Sequence, residues 1–285
     1  ARDGRPTWLV HGAAVISYET ASGPLQEAVN VGGTRAVLDA AERYGIDRVL
    51  LVSSVVTVGL APGPDVAIDE DEPFAHVARV TGKPYVSEYM RTKRAAEDEA
   101  LERARRWATD GGPELVVVNP GAIFGEAPTP SNTAQVFKRV EGSWIGRVVA
   151  PGSLSVVGVQ DVAAGILLAL ASGRHGRRYL LTDENLRLGE LLLRIQRTLR
   201  PDGPHPGLLH LGPGAWRGLV AASRLVDRVK PQHVVTPTAL ELLGLHFRFD
   251  SSRARGELGW TTRPFDEVLL ETATWLRRIG WVRPA

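Results

Sequence analysis

Tyr89 and Lys93 lie four residues apart in the run Tyr89-Met90-Arg91-Thr92-Lys93. On a helix that spacing puts both side chains on one face, one turn apart. An ammonium beside a phenol favours the phenolate, and is expected to pull the tyrosine below its ordinary pKa of about 10. Such a pair can pass a proton to or from a carbonyl or alcohol oxygen. The chain has only four lysines (Lys83, Lys93, Lys138 and Lys230), so a lysine at this offset is less expected by chance. The same spacing also occurs on exposed helix faces that do no chemistry. The surrounding elements decide between the two.

Those elements alternate. Thr7-Trp8-Leu9-Val10-His11-Gly12-Ala13-Ala14 reads as a short buried strand running into a small-residue turn. Apolar positions recur at helical intervals from Leu25 to Tyr44, and Gly45 stops that helix. Arg48 to Ser54 is a continuous apolar strand ending in two hydroxyls, Ser53 and Ser54. A loop rich in Pro, Gly and acid (61–74) precedes a helix expected from Ser87 to Thr109, which carries Tyr89 and Lys93. Leu115 to Gly121 is the next strand, ended by Pro120. This order predicts an α/β fold with a parallel sheet, whose ligands sit beyond the carboxyl ends of the strands. Ala13-Ala14, Ser53-Ser54 and Asn119-Pro120-Gly121 all fall on that edge. Further on, a helix is expected at 131–142, strands at 155–159 and 179–181, and helices at 161–171, 188–199, 216–229, 249–260 and 265–279.

Composition narrows the function classes. The 285 residues can bury a large core, and 34 basic against 32 acidic residues leave a formal charge of +2, which argues against a nucleic-acid partner. With no cysteine there is no disulfide, thiol nucleophile or Cys zinc site, and the seven histidines are scattered. No apolar run reaches membrane-span length, so a cytoplasmic protein with no membrane partner is expected.

With these residues in place the chain resembles the extended short-chain dehydrogenases/reductases, in particular dihydroflavonol-reductase-like proteins of the NAD-dependent epimerase/dehydratase group. Asn30-Val31-Gly32-Gly33-Thr34 resembles that family's N-V-x-G-T, and His11-Gly12-Ala13-Ala14 its H-x-A-A turn. Tyr89 to Lys93 matches Y-x-x-x-K, and Asn119 to Gly125 is similar to N-P-x-x-x-x-G. Val159-Gln160-Asp161-Val162-Ala163-Ala164-Gly165 resembles V-x-D-V-A-x-G, and the likeness continues to Trp260. It implies a doubly wound Rossmann-type domain (1–185) and a smaller, mostly helical substrate lobe (186–285), to which 127–155 contributes. It also implies NAD or NADP as cofactor and a small alcohol or ketone as substrate.

Residue by residue, the resemblance makes Tyr89 the general acid/base, and Lys93 the residue that binds the nicotinamide ribose and lowers the Tyr89 pKa. Ser54 would orient the substrate oxygen. Ala13 and Ala14 would lie near the adenosine side, and Pro120, Gly121, Ala122 and Ile123 along the nicotinamide. Ser53 is either a cofactor contact or only a strand-end hydroxyl, and Asn30 either braces the helix beneath the site or caps it. Tyr85 is a weaker rival to Tyr89, and Glu70-Asp71-Glu72 is expected to be solvated loop charge. By analogy a homodimer is expected through the helices at 25–44 and 87–109.

Two departures matter. Val55-Val56 follow Ser54, where sugar-nucleotide 4,6-dehydratases carry an acidic pair, so dehydration by that route is disfavoured. No G-x-G-x-x-G or G-x-x-G-x-x-G is present, although this fold cradles a pyrophosphate on such a turn. Together with a start at Ala1, that absence leads us to expect an N-terminally incomplete sequence, with an open strand edge and weak dinucleotide binding. Redox between a secondary alcohol and a ketone leads the readings. A nucleotide-sugar epimerase and a non-catalytic dinucleotide-binding protein are the alternatives.

Overall fold

The computed structural model describes residues 5–130, 132–142, 144–203, 205–229 and 236–283. Four parallel strands form the first sheet: β1 (Trp8–His11), β2 (Arg48–Val52), β3 (Glu114–Pro120) and β7 (Arg178–Leu181), in the order β1-β2-β3-β7. Successive side chains leave a strand on opposite faces, and here both faces are covered. Val49, Leu51, Leu115 and Val117 pack on α2 (Thr34–Arg43) and α4 (Glu88–Asp110). Leu50, Val116 and Val118 pack on α6 (Val159–Ser172) and, with Tyr179, on α10 (Ser252–Leu258). β1 ends the sheet among the described residues, and Trp8 and Val10, on the α6 face, are 50% and 49% exposed. That is an open apolar edge of the kind that invites pairing with another strand.

The helix expected at 25–44 is one continuous run built in three parts. α1 (Gly23–Gln26) starts it with Pro24 in its first turn, a π-wound stretch spans Glu27–Gly33, and α2 completes it up to Gly45 at φ 59°. π turns widen a helix and open room for a side-chain interaction. Here Asn30, inside the π stretch, exchanges two hydrogen bonds with the backbone of Val15. Helix α4 starts where Ser87 Oγ accepts the Met90 N–H (3.1 Å), and it stops at Gly111 with φ 80°.

A second, mixed sheet joins β4 (Ala122–Phe124), β6 (Ser153–Gly158), β8 (Glu184–Arg187) and β10 (His246–Phe247). Its core gathers Phe124, Phe137, Val156, Leu191, Ile195, Trp216, Phe265 and Leu269. These come from α5 (Asn132–Gly142), α7 (Leu188–Leu199), α8 (Pro213–Val229) and α11 (Phe265–Arg278) as well as the sheet. Short pieces absent from the sequence reading are α3 (His76–Thr81), α9 (Pro237–Leu243), and the two-residue strands β5 (Val148–Val149) and β9 (Leu209–His210). β4, β8 and β10 were also missed, because two to four residues are too few to show a period. The expected helix at 249–260 shortens to α10, because Phe249 is drawn into a bridge with Ile68 and gives its N–H to Asn185 Oδ1.

Glu70 corrects the expectation of a solvated loop. It is buried, its carboxylate accepts the Leu180 N–H at 2.8 Å, and Arg253 lies 3.6 Å away. The loop therefore closes the outer edge of β7, and its acid replaces a missing strand partner. Asp71 stays at the surface, paired with Arg253.

Candidate active site

Tyr89, Lys93 and Ser54 meet where the sequence reading places them. Ser54 leaves β2 in extended conformation and caps a short turn (Val55–Thr57), its Oγ 3.4 Å from the Val56 N–H. The Tyr89 phenol reaches down from the first turn of α4 to the neighbourhood of the Ser54 side chain, which lowers its pKa. Lys93, one turn further on, donates a hydrogen bond to Val52 O at 3.0 Å, just before the serine pair. An ammonium has three donors, so this contact leaves two for another partner.

Electrostatically the pair differs from the expectation. Burial pushes the Tyr89 phenol up to about 12, against the lowering effect of Ser54. Lys93 is itself buried and falls from 10.5 to about 8, held up only partly by the nearby Glu97 carboxylate. Desolvation penalises both charged forms more than the two side chains help each other. Tyr89 is consequently a proton donor at neutral pH. His11, buried with its Nε2 3.0 Å from Thr34 Oγ1, is also lowered, by burial and then by the Lys93 charge.

Asn30 is no helix cap. Besides its bonds to Val15, it donates to Thr92 Oγ1 at 3.0 Å, tying the loop after β1 to the helix between Tyr89 and Lys93. Ala13 and Ala14 are exposed at the carboxyl end of β1. Ser53 Oγ is buried without a hydrogen-bond partner. Pro120 pairs with Leu181 at the end of β3, Ala122 and Ile123 lie in β4, and Gly121 packs so tightly on Ser155 O that a Cβ would sit 2.6 Å from it. The Tyr85 ring packs on Phe74, with centroids 5.6 Å apart.

Two contributors escaped the sequence reading. Tyr18, in the loop after β1, packs edge-on against Tyr89 with ring centroids 6.4 Å apart. It also lines a cavity of about 360 Å³ with Tyr85, Val86, Ser87 and, from α9, Thr238. Nothing in its local sequence marks it. Glu97 could have been found: it is a charge set among Ala96 and Ala100 on the apolar stripe of α4.

Comparison with known proteins fits this geometry. The model of the NAD dependent epimerase/dehydratase family matches residues 1–181. The chain belongs to that family. It is 31% identical over 285 residues to sterol demethylase protein B of Methylococcus capsulatus, covering 96% of this chain and 80% of that protein. A putative dihydroflavonol 4-reductase of Synechocystis is 28% identical, over 89% of this chain and 71% of its own. The crystal structure of gox2253 superposes with a TM-score of 0.77 at 27% identity, covering 98% of this chain and 80% of that one. PA4631, a nucleoside-diphosphate-sugar epimerase from Pseudomonas aeruginosa, does so at 0.70 and 27%, over 90% and 75%. The chain is an enzyme of this family, with a Rossmann-like parallel sheet and a nicotinamide dinucleotide as cofactor.

The residues present fit the nicotinamide end of such a cofactor. Ser53 Oγ is an orphaned buried hydroxyl, and Lys93, bonded to the preceding residue's carbonyl at Val52, keeps uncommitted donors. No helix among the described residues is long and apolar enough to cross a membrane, and no metal-binding cluster is found among them.

Proposed function

We propose that the chain interconverts a ketone and a secondary alcohol, with Tyr89 as acid/base, Ser54 orienting the substrate oxygen and Lys93 holding the nicotinamide ribose. The observation that carries this reading is the gathering of Tyr89, Lys93 and Ser54 at the carboxyl end of β2, where Lys93 Nζ bonds Val52 O and keeps two donors free. A bound nicotinamide dinucleotide supplies or accepts the hydride. Lys93 would donate to the ribose hydroxyls, and Ser53 Oγ would gain the partner it lacks. Ser54 would donate to the substrate oxygen as negative charge develops on it. Tyr89, a phenol at neutral pH, would deliver its proton to that oxygen, which favours the reductive direction. The cavity beside Tyr18 offers the substrate an approach between the loop after β1 and α9.

The likeness to PA4631 supports a second reading, epimerisation through a transient ketone. The two separate on cofactor turnover. The chain is incubated with millimolar 4-deuterated NADH or NADPH and a panel of alkyl and aryl ketones. The redox reading expects deuterium in the product carbinol and a stoichiometric loss of reduced cofactor. Inversion of a nucleotide sugar with no net oxidation would replace it with the epimerase. A homodimer through the helices at 25–44 and 87–109 is part of the proposal, and a monomer in sedimentation equilibrium would remove it.

A further inference from the structure

Helix α4 carries a third buried ionisable group, one turn beyond Lys93. Glu97 is fully buried, 0% exposed. Its Oε2 accepts from Thr57 Oγ1 and from Asn119 Nδ2, each at 2.7 Å, and its Oε1 faces the Arg178 guanidinium at 3.2 Å. Both neutral partners also lie against the Ser54 carbonyl, and the single Thr57 hydroxyl proton is shared between that oxygen and Glu97. Thr57 Oγ1 lies 2.8 Å from Ser54 O, and Asn119 Nδ2 lies 3.2 Å from the same oxygen. The amide and the hydroxyl are themselves 2.9 Å apart, which closes the network.

Stability alone does not explain this arrangement. A buried ion pair replaced by well-packed apolar groups is often neutral or better, because the charges lose their hydration. What the network does is geometric. Tyr89, Lys93 and Glu97 occupy successive turns of one helix face and reach, in order, the Ser54 side chain, the Val52 carbonyl and the groups that hold the Ser54 carbonyl. The strand end is thereby fixed to the helix at three levels. Glu97 is also the negative charge acting on Lys93.

We infer that Glu97 is a positioning residue of the active site: its carboxylate locks the Ser54 turn against the helix that presents Tyr89, and supports the positive charge of Lys93. Its role in catalysis rests on the function proposed above, but its test does not. With only four lysines, the chain labelled at lysine 13Cε gives a readable titration, and Lys93→Arg assigns the Lys93 signal. Glu97→Gln keeps the shape and removes the charge. The expected result is a Lys93 titration midpoint lower by about one unit, with Lys83 and Lys138 unmoved. Amide exchange at Val56, Thr57 and Val58 should quicken about tenfold, the loss of roughly one hydrogen bond, while Leu50 and Val116 stay protected. An unmoved Lys93, or equal acceleration across the whole sheet, would overturn the inference. If Glu97→Gln does not fold, Arg178→Gln reads the coupling with opposite sign. The Lys93 midpoint should then rise, because Glu97 loses its competing cation, and an unmoved or lowered midpoint overturns the inference. Neither readout needs cofactor. Failure of the redox reading appears separately, as a wild-type chain that reduces no ketone.

Discussion

Lys93 and Glu97 are neighbouring buried ionisable groups on one helix, and the protein treats them in opposite ways. Glu97 is surrounded by protein donors from Thr57, Asn119 and Arg178. Lys93 has, among the described residues, a single protein hydrogen bond, to Val52 O, and an ammonium depressed to about 8 by burial. A charge held out of water with donors to spare costs stability. The turn around Glu97 therefore reads as scaffold, and the turn around Lys93 as a place for a ligand. Ser54 and Ser53 repeat the contrast: one hydroxyl accepts the Val56 N–H, the other is buried and unpaired.

Substitutions can break or sharpen this contrast. Lys93→Met should have the largest effect, removing turnover by about a thousandfold through lost cofactor binding and orientation. It should also raise stability near pH 7, by roughly 2 kcal/mol, since a buried charge is removed for one lost hydrogen bond. Steady-state rates and thermal melts check both halves, and a fall in melting temperature would count against Lys93 as a strained ligand site. Ser54→Ala should slow turnover by about a hundredfold while leaving cofactor affinity unchanged, as expected for a donor aimed at developing charge. Asn30→Ala removes the links to Val15 and Thr92, and should lower unfolding free energy by about 2–3 kcal/mol in urea titrations. At the small end, Arg35→Ala breaks the pair with Glu99 on the outer helix face. With the guanidinium in open solvent, it should move the urea midpoint least of all these variants.

The pH dependence follows with a definite sign. Lys93 has a folded-state pKa of about 8 against an ordinary 10.5, so between those values the unfolded chain binds more protons. Its contribution to stability therefore rises with pH across that window, and its burial cost is fully present below it. Turnover should run the other way, falling as pH rises through about 8 and Lys93 loses its charge. A reductive rate that stays flat from pH 7 to about 10 would show that the Lys93 charge is not needed.

Much of the site was legible because its parts sit at strand ends and helix offsets that the sequence displays. The four-residue step from Tyr89 to Lys93, the hydroxyl after Val52 and the proline after Asn119 all stand on regular elements. Their energetics were not legible. Spacing alone shows the lysine beside the phenol, but not the burial that pushes Tyr89 up and Lys93 down. Glu70 was misread because an acidic triplet in a loop gives no sign that one member turns inward to meet the Leu180 N–H. Tyr18 was missed because its partner is 71 residues away in the chain.

The open edge at β1 bears on cofactor affinity. With Trp8 and Val10 half exposed and no glycine-rich turn in the sequence, calorimetry on these 285 residues should show weak dinucleotide binding, so turnover is read at millimolar cofactor. Tight stoichiometric binding would mean that the described strand ends suffice.

Tyr89→Phe tests the central claim most directly, because it removes one oxygen from a buried ring and leaves the packing against Tyr18 in place. At saturating reduced cofactor, ketone reduction should fall by about a thousandfold, with the melting temperature and cofactor affinity unchanged. Reduction at the wild-type rate in Tyr89→Phe would contradict the account.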